Sequence, residues 1–179
     1  VKDNNGNVNL FAGNETKLYK FNASNSNLDD VTKSAGSYSL SADNERWRFI
    51  QFGTSVIACG GVGESLQEFT LGSDTRFADL AGTPPKADFI AVVGDQVWTA
   101  NIDEGSGRIP FRARWSALND ATSWTVGTNQ ADFQDIPDSG AITGLIGSGR
   151  YATILMEKAI VRASYVGTPL IYQIDKVET

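Results

Sequence analysis

A strand-like run that ends in glycine recurs along this chain, and the elements beside it recur in step. Val8-Asn9-Leu10-Phe11-Ala12-Gly13 matches Val56-Ile57-Ala58-Cys59-Gly60-Gly61, 48 positions later. Lys17-Leu18-Tyr19-Lys20-Phe21 then falls on Ser65-Leu66-Gln67-Glu68-Phe69, and Leu28-Asp29-Asp30-Val31 falls near Phe77-Ala78-Asp79-Leu80. A third copy runs through residues 96–100, 111–115 and 123–126, and a fourth through 151–156, 159–165 and 170–175. Each later copy follows one further strand, at 47–53, 88–94 and 141–147, closed by Gly53, Gly94 and Gly147. Those glycines lie 41 and 53 residues apart, the longer interval carrying an insertion around Asp132 to Gly140.

Four short strands per unit of about 40 to 45 residues is the signature of a β-propeller blade. The expected fold is therefore all-β: a propeller-like array of about four antiparallel blades over 1–179, forming part of a larger ring. Because the first unit has only seven residues before Val8, it lacks its leading strand, and the chain reads as a segment of a longer one. A two-sheet sandwich also shows short strands at regular spacing, and the repeat matching favours the propeller over it. The leading strand of each blade should be buried on both faces, as the apolar run Phe89-Ile90-Ala91-Val92-Val93 suggests. Trp47, Phe49, Ile50, Phe89, Ala91, Val93, Ile142 and Ile146 are the expected buried blade positions.

Composition excludes several chemistries. Fifteen Lys+Arg against 21 Asp+Glu leave a net charge of -6, which disfavours a general grip on nucleic acid, since that needs a basic surface to replace phosphate counterions. Histidine is absent, and with it the commonest general base, the usual zinc ligand and every Ser-His or Cys-His pair. Cys59 is the single cysteine, in an apolar run where it reads as a small buried hydrophobe. Neither a signal-peptide pattern nor an apolar stretch of membrane-spanning length is visible, so no membrane insertion by this segment is expected.

Carboxylates are the remaining catalytic candidates. Asp132, Asp135 and Asp138 cluster near Pro137 and Gly140, and Asp29 stands beside Asp30; both groups read as solvated turns. Asp3-Asn4-Asn5-Gly6-Asn7 reads as a turn and not as a calcium loop, whose glutamate and spacing it lacks. Gly60-Gly61-Val62-Gly63, Gly105-Ser106-Gly107 and Gly147-Ser148-Gly149 read as hairpin turns, with no Lys-Ser/Thr or helix to make a phosphate cradle. Residues 116–125 look like the aspartate-box turn of sialidase propellers, without its glycine and with Trp124 one position too close to Asp120. Arg108, Arg112 and Arg114 form the one local basic group. Positions 112 and 114 share a strand face, and the expected partners are the chain's own acids or a neighbouring subunit. No catalytic, cofactor-binding or metal residues are assigned, and no enzyme is expected.

Several segments together resemble the phage stabilisation family of podovirus-type tail proteins, the hub or nozzle below the portal. They are 46–53, 84–95, 114–120 with Trp124, 132–140 and 157–167. The resemblance implies a non-enzymatic virion protein of the tail, made in the bacterial cytoplasm. It would retain packaged DNA and form the conduit for its ejection. It also implies a homo-oligomeric ring, contact with other tail or portal-adaptor proteins, and transient contact with passing DNA. A like-charged channel wall lets DNA slide, so the lumen should be acidic or neutral. The competing reading is a carbohydrate-binding or carboxylate-based glycosidase propeller using exposed aromatic platforms. Trp47, Trp98, Trp115 and Trp124 lie inside repeat-matched strands or strand ends, which favours packing over sugar stacking.

Overall fold

Runs of two to eight residues joined by turns and loops bring each strand back beside the one before it, and the strands group into four such sheets. The computed structural model describes residues 1–34, 36–40 and 45–178. Their regular structure is β throughout, apart from a single 3-10 turn at Pro137–Ser139. The first sheet has β1 (Phe11–Gly13), β2 (Leu18–Asn22) and β3 (Asn27–Asp30). The second has β4 (Arg48–Phe52), β5 (Ser55–Cys59), β6 (Gln67–Thr70) and β7 (Ala78–Asp79). The third has β8 (Lys86–Val93), β9 (Gln96–Asp103), β10 (Arg108–Trp115) and β11 (Asp132–Asp135). The fourth has β12 (Ile142–Gly147), β13 (Tyr151–Met156), β14 (Ile160–Gly167) and β15 (Ile171–Glu178). Strands pair antiparallel with their neighbours in chain order within every sheet. Gly53 and Gly94 hold φ of 59° and 57° in two-residue turns, the left-handed conformation that such hairpins require.

Three apolar clusters separate the four sheets. Leu18 on the first sheet meets Val56, Ala58 and Phe69 on the second. Ile57 and Cys59, the alternate residues of β5, face Ala87, Ile90, Val97 and Ile102 of the third. Trp98, Ala100, Ala113 and Trp115 face Ile142, Ile154, Val161 and Tyr172 of the fourth. The second and third sheets are thus covered on both faces, which their opposite-facing alternate residues allow. Strand β9 breaks that alternation: Val97 and Ile102 are five apart yet face the same cluster. Asn101 between them, at φ 54°, supplies the irregularity, and the β9–β10 register also shifts between Ile109 and Ala113. The leading strands β4, β8 and β12 lie next to one another.

Three expectations need correction. The fourth strand of the third sheet is Asp132–Asp135, not 123–126; Trp124 sits in irregular chain between two turns, with its indole N–H donating to the Ala121 carbonyl. The chain segment read as an insertion supplies the strand, because cross-strand pairs such as Arg112 with Asp135 and Arg114 with Phe133 close the sheet there. Burial also peaks on the second strand of the third sheet rather than the leading one. Gln96 to Ile102 are all buried, while Asp88, Phe89 and Val92 of β8 are half-buried. Finally, Ile146 is 58% exposed, since β12 turns one face away from the third sheet and no described residue covers it. Ala91, Val93 and Ile142 are buried as expected, and Trp47, Phe49, Ile50 and Phe89 are half-buried.

Candidate functional site

Charge in this protein is concentrated where strands of the third sheet bring distant residues together. Arg112 and Arg114 project from one side of β10, and the Glu104 carboxylate spans them, 3.0 Å from the Arg112 Nη1 and also paired with Arg114. Arg112 is further locked by a two-pronged pair with Asp135, its Nε donating at 2.7 Å and its Nη2 at 2.8 Å. Its guanidinium lies 4.0 Å over the Phe133 ring. These hydrogen bonds, the Asp135 pair first, raise the Arg112 pKa further. Arg108 donates through Nε to Asn101 Oδ1 at 2.7 Å and pairs with Asp88. All three arginines are therefore paired within the chain, one of the two expected arrangements, although the buried Nε of Arg114 has no hydrogen-bond partner among the described residues.

The aspartates singled out from sequence divide. Asp135 is not a loop residue but a strand residue and an ion-pair partner, and Asp132 lies on the same strand, where it accepts the Phe133 N–H. Asp138 sits exposed in the 3-10 turn. Asp29 accepts from the Asn22 amide, and Asp30 pairs with Lys17 at 2.7 Å, a hydrogen bond that holds its carboxyl well below the usual range. Asp3 caps its own turn by accepting the Asn5 and Asn7 N–H groups, and Asp120 accepts from Thr122. Among the described residues no cluster of three or more Cys, Asp or Glu could hold a metal. Cys59 is fully buried, with its thiol donating to the Ala87 carbonyl and its pKa pushed up to about 12 by burial. That makes it unreactive near neutral pH.

A cleft of about 400 Å³ opens where the leading strands meet, lined by Arg48, Asp88, Asn101, Arg108, Thr143 and Glu157. Asn101 is its fixed point: 4% exposed, it donates to the Ile142 carbonyl across the sheet boundary at 3.0 Å and accepts from Arg108. The Arg48 guanidinium covers Phe89 at 4.6 Å, which removes that ring as a platform. Two arginines and two carboxylates balance in charge. Apart from Arg108, none of these residues stood out in the sequence, because they come from strands far apart in the chain. The one local signal is an asparagine inside an otherwise apolar run. No protein-family model matches the chain, and no curated protein matches it.

Proposed function

We propose that this chain is a structural subunit of a phage tail, of the hub or nozzle type, that retains packaged DNA and forms part of its exit conduit. The observation that carries the reading is the serial stacking of four meander sheets, with the leading strands of the second, third and fourth side by side. In this reading the sheets are consecutive propeller blades, and the leading strands face a central axis. Both end sheets turn apolar residues outward, Leu10, Phe21 and Leu28 on the first and Ile146, Ile160 and Val177 on the fourth. Those free faces are where the larger ring continues, through neighbouring sheets packed as the internal ones are. Arg112 and Arg114 stand on the third strand of their sheet, away from the leading strands, and are tied to Glu104 and Asp135. This suits a channel wall that does not grip phosphate. A self-neutralised set of charges likewise argues for architecture over catalysis.

Other tail or portal-adaptor proteins are the proposed partners. The test is made on particles produced from the genome that encodes the chain. The protein should copurify with DNA-filled particles and appear by electron microscopy as a ring at the DNA exit. Particles made without it should fill and then lose their DNA. DNA-filled, stable particles that lack the protein would overturn the proposal.

A further inference from the structure

A second cleft, at the opposite end of the third and fourth sheets, has a different character. Two turns form its rim: Gly94-Asp95 between β8 and β9, and Ser148-Gly149-Arg150 between β12 and β13, joined by the Gly94 N–H donating to the Ser148 carbonyl at 3.3 Å. The rings of Tyr165 and Tyr172 form the wall, and the volume is about 290 Å³, at the lower end of small-molecule sites. We propose that this cleft binds a neutral pyranose sugar. The inference does not depend on the virion reading, and it assigns a ligand class to a place where none was expected from sequence.

The argument rests on which groups remain available. Tyr172 donates its hydroxyl to Gln96 Oε1 at 2.7 Å, and Gln96 donates to the Ser116 carbonyl at 2.7 Å, so the deep wall is satisfied internally. Asp95 and Arg150, by contrast, form no ion pair and no side-chain hydrogen bond with any described residue, and both are exposed. One is a pure acceptor and the other a pure donor. Tyr165 is 37% exposed, yet its orientation is fixed, because its hydroxyl donates to Gln130 Oε1 at 3.0 Å and its ring meets Tyr172 edge-on at 5.5 Å. A ligand docking on it orders little that is not already ordered.

A pyranose answers all three groups at once. Its C–H face covers an aromatic ring, one hydroxyl pair donates to a carboxylate, and another accepts from a guanidinium. A phosphate would meet Asp95 as a like charge, and a cation would meet Arg150. A small zwitterion matches the two charges but offers no apolar face to Tyr165.

The test uses the 179-residue chain, ¹⁵N-labelled, with methyl glucoside, methyl galactoside, methyl mannoside and N-acetylglucosamine as probes. At least one should bind at millimolar strength, shift the amides of Gly94, Asp95, Gly149 and Arg150, and show saturation transfer to its C–H face. Tyr165→Ala should weaken that binding at least about tenfold, and Asp95→Asn, on an exposed turn, several-fold. Tyr151→Ala, on the outer face of the fourth sheet, should leave it unchanged. The proposal fails if none of the four probes moves those amides, if the Asp95 and Tyr165 variants bind as the parent does, or if glycine or inorganic phosphate binds there better than every sugar.

Discussion

The seam between the first and second sheets and the seam between the third and fourth contain the same buried pair, supported in opposite ways. In each, a tyrosine hydroxyl donates to a glutamine amide oxygen: Tyr38 to Gln67 at 3.1 Å, and Tyr172 to Gln96 at 2.7 Å. Both glutamines are fully buried and donate in turn, Gln67 to Asp79 at 2.6 Å and Gln96 to the Ser116 carbonyl. Tyr172 belongs to an eight-residue strand, and Trp98 and Trp115 stack beside it with ring centres 4.6 Å apart. Tyr38 lies in irregular chain with its ring edge-on to Trp47 at 4.8 Å, and its cluster is filled by phenylalanines of short strands and loops, with Phe11 5.3 Å from Phe69 and 5.6 Å from Phe77. The first sheet has strands of three to five residues, and β3 is exposed throughout. Its own ladders are short, and it is tied to the second sheet by scattered bonds such as the Phe77 N–H donating to the Val31 carbonyl and the Trp47 indole N–H donating to the Asn14 carbonyl, whereas the fourth sheet is built on a long hydrogen-bonded ladder. Local opening should begin at the first sheet.

The strongest test of that contrast removes the centre of the better-supported seam. Trp98→Ala should cost about 3–5 kcal/mol in denaturant unfolding, because a fully buried ring stacked on Trp115 and edge-on to Tyr172 leaves a large cavity. A smaller but sharper comparison uses two glycines. A methyl group at Gly147 runs into the Val92 backbone carbonyl, and one at Gly13 runs into the half-buried Trp47 ring. Backbone cannot give way as a side chain can. Gly147→Ala should thus lose about 1–3 kcal/mol, and Gly13→Ala less, with faster hydrogen exchange confined to residues 11–30.

The paired tyrosines come next. Tyr172→Phe should cost about 1–2 kcal/mol by leaving the Gln96 oxygen buried and unpaired. Tyr38→Phe should cost less, since its seam yields more readily to water. Burial pushes both hydroxyls up to about 12, against 10.0 for a free tyrosine. The folded state therefore holds these protons when the unfolded state has lost them. Their contribution is complete below pH 10 and disappears as pH rises through about 12. Unfolding midpoints should fall across that window, and less steeply in the double Phe variant. The smallest effect is expected from Asp135→Asn, about 1 kcal/mol or less and reduced by salt, because that carboxylate is partly exposed.

Strand positions were largely legible because they are local. Runs such as 47–53, 88–94, 141–147 and 151–156 carry apolar and β-branched residues between glycine turns, and each forms a strand. The segment 123–126 misled because Trp124 and Val126 look like strand residues, while the true fourth strand, Asp-Phe-Gln-Asp, looks like a loop until Arg112 and Arg114 stand opposite it. The polar sites were hidden for the same reason. Asp95 and Arg150 are unremarkable turn residues 55 positions apart and on different sheets, and only the neighbouring turns bring them to one rim.

The sequence alone determined the all-β class and the grouping of most strands into successive meanders, and it narrowed the partners of the basic cluster to the chain's own acids or a neighbouring subunit. Each depends on pairing between residues near in the chain or on alternation along a strand. Tertiary structure decided which face of each sheet is covered, that β9 rather than β8 is the most deeply buried strand of its sheet, and which side chains share a cleft. A residue's burial depends on the sheet stacked over it, and no periodicity within a strand records what that neighbour will be.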